Sequence, residues 1–194
     1  LADGEDEPDA AIFSKTDLTI NGSGTLVVNG NYNNGIASKD DLVITGGNIT
    51  VIAVNDGIRG RDSIAINDGT FAISTTTGDG LQSNNDEDAD KGWISIDGGT
   101  FTINAEGKGL NAESLLQVTD GSLSITSTDD SLHSNINMYI ASGDITATSE
   151  DDGLHADSAL TIEAGSILLT KAYEGLEAAE ITVNGGTIDI TSED

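Results

Sequence analysis

Carboxylates recur along this chain at a nearly fixed interval. Asn34, Asp56, Asp79, Lys108, Asp130, Asp152 and Glu174 stand mostly about 22 residues apart, each two places before a leucine or isoleucine, with Asp129 and Asp151 one step earlier. If each interval is one turn of a coil rising ~4.8 Å per turn, these side chains become one column up a corner. Neighbouring carboxylates then repel by about 3.5 kcal/mol at an effective dielectric of 20, or about 0.9 kcal/mol in water. A cation between them removes that cost, and calcium, which takes about six to eight hard oxygen ligands in flexible geometry, suits a corner rich in carboxylates and carbonyls. One calcium site is expected around Asp56 and Asp79, and another around Asp129, Asp130, Asp151, Asp152 and Glu174. Lys108 interrupts the column where an ammonium would replace a metal's charge.

A second acidic group lies in the insertion 84–91, where Asp86, Asp88 and Asp90 alternate as the first ligands of a calcium loop do. The early glycine and closing glutamate of such a loop are absent, so the match is partial. Beside the acidic column, the outward positions include Arg59 and Arg61, then His133, His155 and Asp157, a polar face suited to a hydroxylated or carboxylated ligand. The two histidines and Asp157 could also hold zinc, but without a third strong ligand hydrogen bonding is the plainer role. Trp93 and Tyr139 are candidate platforms on which sugar rings would stack.

The elements that must position these groups are strands. Each interval carries an apolar anchor (Ile12, Ile36, Ile58, Leu81, Leu110, Leu132, Leu154, Leu176) followed by two apolar-x-apolar pairs, such as Ile64/Ile66 and Phe71/Ile73 in the third unit. Period-two alternation broken by Gly, Asn and Asp reads as three short strands per unit, and no helical period is present. Forty inward positions are expected, all of them large and apolar except Ala147. Their burial is worth on the order of 10² kcal/mol, comparable with the ordering entropy of a domain this long. The fold expected is an all-β, right-handed, single-stranded parallel β-helix of about eight turns of ~22 residues, three strands per turn. It would occupy residues 11–194 as a single domain after an acidic N-terminal segment, 1–10.

Composition narrows the partners. With 34 acidic residues against 7 basic ones the formal charge is −27, which argues against nucleic acid and anionic membranes. No apolar run is long enough to insert in a bilayer, there are no cysteines, and the start of the sequence has no signal-peptide pattern. A secreted or cell-surface protein is expected, its signal peptide outside this sequence. The last turn predicts an uncovered apolar end, and therefore either end-to-end self-association or continuation into further domains.

Several segments carry a resemblance: Asp-Asp-Gly-Leu-His-Ala at 151–156, Gly-Gly-Thr-Phe-Thr-Ile at 98–103, Gly-Gly-Thr-Ile-Asp-Ile at 185–190, and the Asn-Asp-Glu-Asp insertion followed by Lys-Gly-Trp-Ile. From about Ala11 onward the chain resembles the secreted calcium-binding β-helical carbohydrate-binding domains of cellulose-degrading bacteria. That resemblance implies a pectate-lyase-like fold, bound calcium, and binding of cellulose or acidic plant sugars without established catalysis. Asp56, Asp79, Asp130 and Asp152 match the family's repeated Asp-Gly position, while Ser131 replaces one glycine and Lys108 one acid. The function expected is calcium-dependent or calcium-stabilised binding of a plant cell-wall polysaccharide, cellulose or polygalacturonate. The alternatives are a calcium-dependent polysaccharide lyase, with Arg59 or Arg61 near the metal, and a structural or ice-binding solenoid presenting rows such as Thr100/Thr102 and Ser122/Ser124/Thr126.

Overall fold

The chain winds into three parallel ladders. The computed structural model describes residues 8–193, so most of the acidic segment 1–10 lies outside the described residues. Among these, every regular element is a strand. The first ladder begins with Ala10–Ser14 and Asn34–Ser38, the second with Leu18–Ile20 and Asp41–Ile44, and the third with Thr25–Gly30 and Asn48–Ala53. In register these make a parallel β-solenoid of eight turns. The anchors align as a single column: Ile12 pairs with Ile36, Ile36 with Ile58, Ile58 with Leu81, and so on through Leu154 and Leu176. Phe71 pairs with Phe101, and their rings stack with centroids 4.5 Å apart.

Two strands are longer than expected. Leu154–Ile162 and Leu176–Val183 each run through a corner and join the first two ladders into one 14-stranded sheet, leaving the third ladder as a separate sheet of 8 strands. The eighth turn has one residue fewer between its first and second strands than the seventh, and the difference is taken up as a register shift between Ala156 and Ala159. A bulge is the least costly way to absorb one residue in a ladder. The insertion in turn four is expelled instead. Asn85 N–H still donates to the Arg61 carbonyl at 3.0 Å and Gly92 N–H to the Asp62 carbonyl at 2.7 Å, so the loop leaves after Asn85 and returns at Gly92 without disturbing the stack. Asp62 closes its base by accepting Asn85 Nδ2 at 2.6 Å and Lys91 Nζ at 2.7 Å.

The interior is wider than the forty expected sites. Two residues beyond the anchors, Ser38, Ser83, Ala112, Ser134 and Ala156 also turn inward, and Thr75 and Ser127 close the third strands. Their hydroxyls are used: Ser38 Oγ donates to the Thr16 carbonyl at 2.6 Å and Thr75 Oγ1 to the Gly78 carbonyl at 2.6 Å. Among the described residues no buried side-chain polar atom lacks a partner.

In six of the eight turns the residue before the anchor is a glycine required by close approach. A Cβ at Gly57 would stand 2.5 Å from Ile73 Cγ2 and 2.7 Å from the Gly80 carbonyl oxygen. At Gly80, Gly109 and Gly153 the obstructing side chains are Ile103, Ile125 and Leu169, the third-strand residues at the same position of the coil. Turn six has Ser131 in place of the glycine, and at that third-strand position it has Ala147, the lone small residue of the column. The two departures compensate: the serine occupies space that a leucine or isoleucine fills elsewhere, and its hydroxyl lies 3.2 Å from Ser127 Oγ. Ala147→Ile should therefore destabilise the chain by about 2 kcal/mol through overpacking, and the added change Ser131→Gly should recover most of that loss. Chemical denaturation of the double-mutant cycle measures the coupling, and additive effects would show the positions to be independent.

Candidate carbohydrate and cation sites

The acidic column is a hydrogen-bonded ladder. Asn34 Oδ1 accepts the backbone N–H of Asp56 at 3.0 Å, Asp56 Oδ1 that of Asp79 at 3.1 Å, and Asp79 Oδ1 that of Lys108 at 2.8 Å. The pattern resumes when Asp130 Oδ1 accepts Asp152 N–H and Asp152 Oδ1 accepts Glu174 N–H, both at 3.1 Å. Each side chain thus caps the corner of the next turn. This explains why Asn34 substitutes for aspartate and why the aspartates are nearly inaccessible, Asp130 at 2% and Asp152 at 4%. Lys108 has no oxygen to offer. Asp129 fills the gap by accepting Asp130 N–H on its own Oδ1 at 2.9 Å.

With one oxygen committed to the backbone, the second meets the neighbouring column on the first ladder, where Arg59, Gln82, Asn111, His133, His155 and Glu177 follow in register. Asp79 Oδ2 accepts Gln82 Nε2 at 3.0 Å and Asn111 Nδ2 at 2.8 Å. Asp130 Oδ2 accepts Lys108 Nζ and His133 Nδ1, both at 2.7 Å, while the same ammonium reaches Asp129 Oδ1 at 2.7 Å. Burial works to raise the Asp130 carboxyl, but these bonds and the lysine charge together hold it well below the usual carboxylate range. Asp56 has only a weak 3.3 Å contact from Asn55 Nδ2 on its second oxygen. Burial dominates there and pushes its carboxyl up to about 6.

His133 is a cation. Its Nδ1 faces the Asp130 carboxylate and its Nε2 lies 2.7 Å from Asn135 Oδ1, whose amide orientation is set by Asn135 Nδ2 donating to Glu113 Oε2 at 2.7 Å. Both ring nitrogens therefore donate. Burial acts to lower the imidazole's proton affinity, yet the Asp130 and Asn135 bonds outweigh it and the pKa is raised.

Of the expected calcium ligands, Asp129, Asp130 and Asp151 place oxygens within 4.8 Å of one another, as do Asp151, Asp152 and Glu174. Desolvation, followed by repulsion from Asp152, Asp130 and Asp129, pushes the Asp151 carboxyl up. In the first of these groups the Lys108 ammonium already occupies the cation's place. Asp56 and Asp79 remain a pair. Among the described residues, Asp86 and Asp88 of the insertion join no third carboxylate at such distances. Asp88 instead accepts the backbone N–H of Asp90 at 3.2 Å.

The candidate carbohydrate ligands divide between faces. Arg59 and Arg61 lie at the rim of a cleft of about 530 Å³ on the N-terminal turns, lined also by Lys15, Lys39, Phe13, Asp9, Asp40 and Glu87. Arg59 Nη1 is 3.5 Å from Asp9 Oδ2 and its Nη2 donates to Asn84 Oδ1 at 3.4 Å, while Arg61 Nη2 donates to Glu87 Oε2 at 2.5 Å. That bond with Glu87 raises the Arg61 pKa further. His155 and Asp157 are several turns away on the same ladder. Trp93 and Tyr139 project from the second ladder, Trp93 in register with Ser63 and Leu115, and Tyr139 with Gln117 and Thr161. They share no surface with the arginine cleft and belong to different rows. Lys15 and Lys39 escaped sequence reasoning because each is a lone lysine beside a corner, and only the winding brings them to the arginines.

An all-parallel coil with an aspartate ladder along one corner and polar side chains on the face beside it defines a β-solenoid whose exposed ladders are available to an extended ligand. Residues 2–194 match the model of the carbohydrate-binding domain-containing protein family. The chain belongs to that family. A carbohydrate-binding domain-containing protein of Acetivibrio thermocellus is 57% identical over 49 residues, covering 25% of this chain and 17% of that protein. The solved polysaccharide lyase-like protein from C. thermocellum, a gadolinium derivative, is similar over 95% of this chain and 58% of its own, with TM-score 0.55 and 28% identity. The chain spans 17% of the first relative's length and 58% of the second's. Membership of a carbohydrate-binding domain family supports polysaccharide binding in general.

Proposed function

We propose that this chain binds an acidic plant cell-wall polysaccharide of the polygalacturonate class, without catalysis, at the cleft around Arg59 and Arg61, and that calcium stabilises the coil at Asp151, Asp152 and Glu174. The observation that carries the reading is charge placement: Lys15, Lys39, Arg59 and Arg61, four of only 7 basic residues in a chain of formal charge −27, line one cleft. Random placement on so acidic a surface does not gather cations. Guanidinium groups suit uronate carboxylates because their paired N–H donors match the two oxygens. The acids that now hold the arginines, Asp9 and Glu87, are partly exposed and stand where ligand carboxylates would replace them. The same contacts disfavour a lyase, since a guanidinium kept protonated by Glu87 is a poor base. Calcium is supported by the three carboxylates of Asp151, Asp152 and Glu174, which gather oxygens within 4.8 Å of one another at the corner of the last turns.

Isothermal titration with polygalacturonate in calcium tests the cleft. The double change Arg59→Ala, Arg61→Ala should weaken binding by about tenfold or more, two charge-assisted hydrogen-bonding groups being lost, and binding should fall as salt is raised. Unchanged affinity in the double variant would remove the cleft from the function. Release of unsaturated uronate by the wild-type chain would favour the lyase.

A further inference from the structure

His155 is placed unlike His133. Its Nδ1 lies 3.4 Å from Asp152 Oδ2, 3.5 Å from Asp130 Oδ2 and 3.7 Å from Glu177 Oε2, and its Nε2 lies 3.4 Å from Asp157 Oδ1. Three carboxylate oxygens therefore surround one imidazole nitrogen, each beyond the usual hydrogen-bond length. Asp130 Oδ2 is already engaged by Lys108 and His133, which leaves Asp152 and Glu177. One ligand atom from each of Asp152, His155 and Glu177 lies within 4.8 Å of the others.

The nitrogen–oxygen separations of 3.4 and 3.7 Å are close to those of ligands around a small divalent ion. Metal–nitrogen and metal–oxygen bonds of about 2.0–2.2 Å at tetrahedral angles hold neighbouring ligand atoms about 3.4 Å apart. The other imidazole nitrogen faces a carboxylate, the arrangement that fixes a metal-bound histidine in orientation and tautomer. An imidazole ligand distinguishes this place from the all-oxygen corner at Asp151, Asp152 and Glu174, with which it shares the Asp152 carboxylate and which suits a harder ion. His133, with both nitrogens donating, has no lone pair to contribute.

We propose that His155 Nδ1, Asp152 Oδ2 and Glu177 Oε2 bind one divalent first-row transition ion, with zinc as its probe and Asp157 as the positioning carboxylate behind the imidazole. Because Asp152 and His155 belong to turn seven and Glu177 to turn eight, the ion ties the exposed last turn to the buried coil. The site is independent of the polysaccharide cleft, which lies at the other end of the first ladder.

The full chain is titrated with zinc in excess calcium, and separately with cobalt(II), whose visible bands report nitrogen ligation. One saturable zinc site that survives calcium is expected, together with slowed hydrogen exchange in Leu176–Val183. His155→Gln should weaken zinc more than about 100-fold and Asp157→Asn about tenfold. Circular dichroism confirms that each variant is folded. Zinc affinity unaltered by His155→Gln, displacement of zinc by calcium, or a cobalt spectrum of all-oxygen coordination would each overturn the proposal.

Discussion

Lys108→Met is expected to lower the stability of the chain by about 2–3 kcal/mol at neutral pH, the loss of a charge-assisted bond to a buried carboxylate. The ammonium makes two bonds of 2.7 Å, to Asp129 and Asp130, and Asp130 is only 2% exposed. Methionine keeps the length of the stem and removes the charge. His133 alone then faces the carboxylate. Since the Asp130 carboxyl is held below its ordinary 3.8, its contribution to stability is present above that value and lost as pH falls through the depressed one. The deficit of the variant should therefore be full at neutral pH and shrink in acid. Calcium sharpens the experiment. If the vacated group Asp129, Asp130 and Asp151 takes the ion, added calcium restores part of the lost stability in the variant and little in the wild type. Chemical denaturation with calcium and with chelator reads both effects, and a loss under about 1 kcal/mol would mean that the pair is screened like a surface ion pair.

Asp56→Asn should act in the opposite direction and stabilise the chain at neutral pH by up to about 3 kcal/mol. The Asp56 carboxyl rises from 3.8 to about 6 because burial outweighs the hydrogen bond it accepts from Asp79 N–H. A raised value in the folded chain means that folding favours the proton. Stability is thus fully present below 3.8, falls as pH climbs through about 6, and stays reduced at neutrality. Asparagine keeps the Oδ1 that caps the next turn, as Asn34 does one turn earlier, and removes the charge. Part of the gain is offset where its amide meets the Asn55 amide across the present 3.3 Å contact. Stability measured across the acid range should show the variant and wild type converging below about pH 4. A variant less stable at neutral pH would mean that Asp56 is stabilised as a carboxylate, as it would be on a cation shared with Asp79.

The two variants also show how far the site was legible. The column from Asn34 to Glu174 is visible in spacing alone, and so is the interruption at Lys108. Spacing did not reveal that one oxygen of each aspartate caps the next turn. That depends on how closely the corner backbones approach, which the sequence does not display. Repulsion along the column is consequently relieved first by peptide N–H groups, and a cation is needed only where second oxygens crowd together. Similarly, His133 and His155 occupy equal places in two copies of one motif, yet the first is bonded at both nitrogens, to Asp130 and Asn135, while the second faces carboxylates at longer range.

The winding of this protein is determined by its sequence: a period of two within strands and about 22 between turns leaves one arrangement in which the anchors of the inner turns are buried and those of the first and last turns half-buried, and the anchors pair in that register. Ser131 and Ala147 were both visible as exceptions, but their compensation required knowing that the glycine of one strand touches the third strand of the same turn. Tertiary structure alone decided which charges meet. Periodicity fixes the direction of a side chain to within a face, whereas a binding site depends on the positions of its atoms to within a few tenths of an ångström. Corners, the bulge at Ala156 and Ala159, and the expelled insertion set those positions. They gather Lys15, Lys39, Arg59 and Arg61 into a cleft and bring Asp152, His155 and Glu177 together at the last turn.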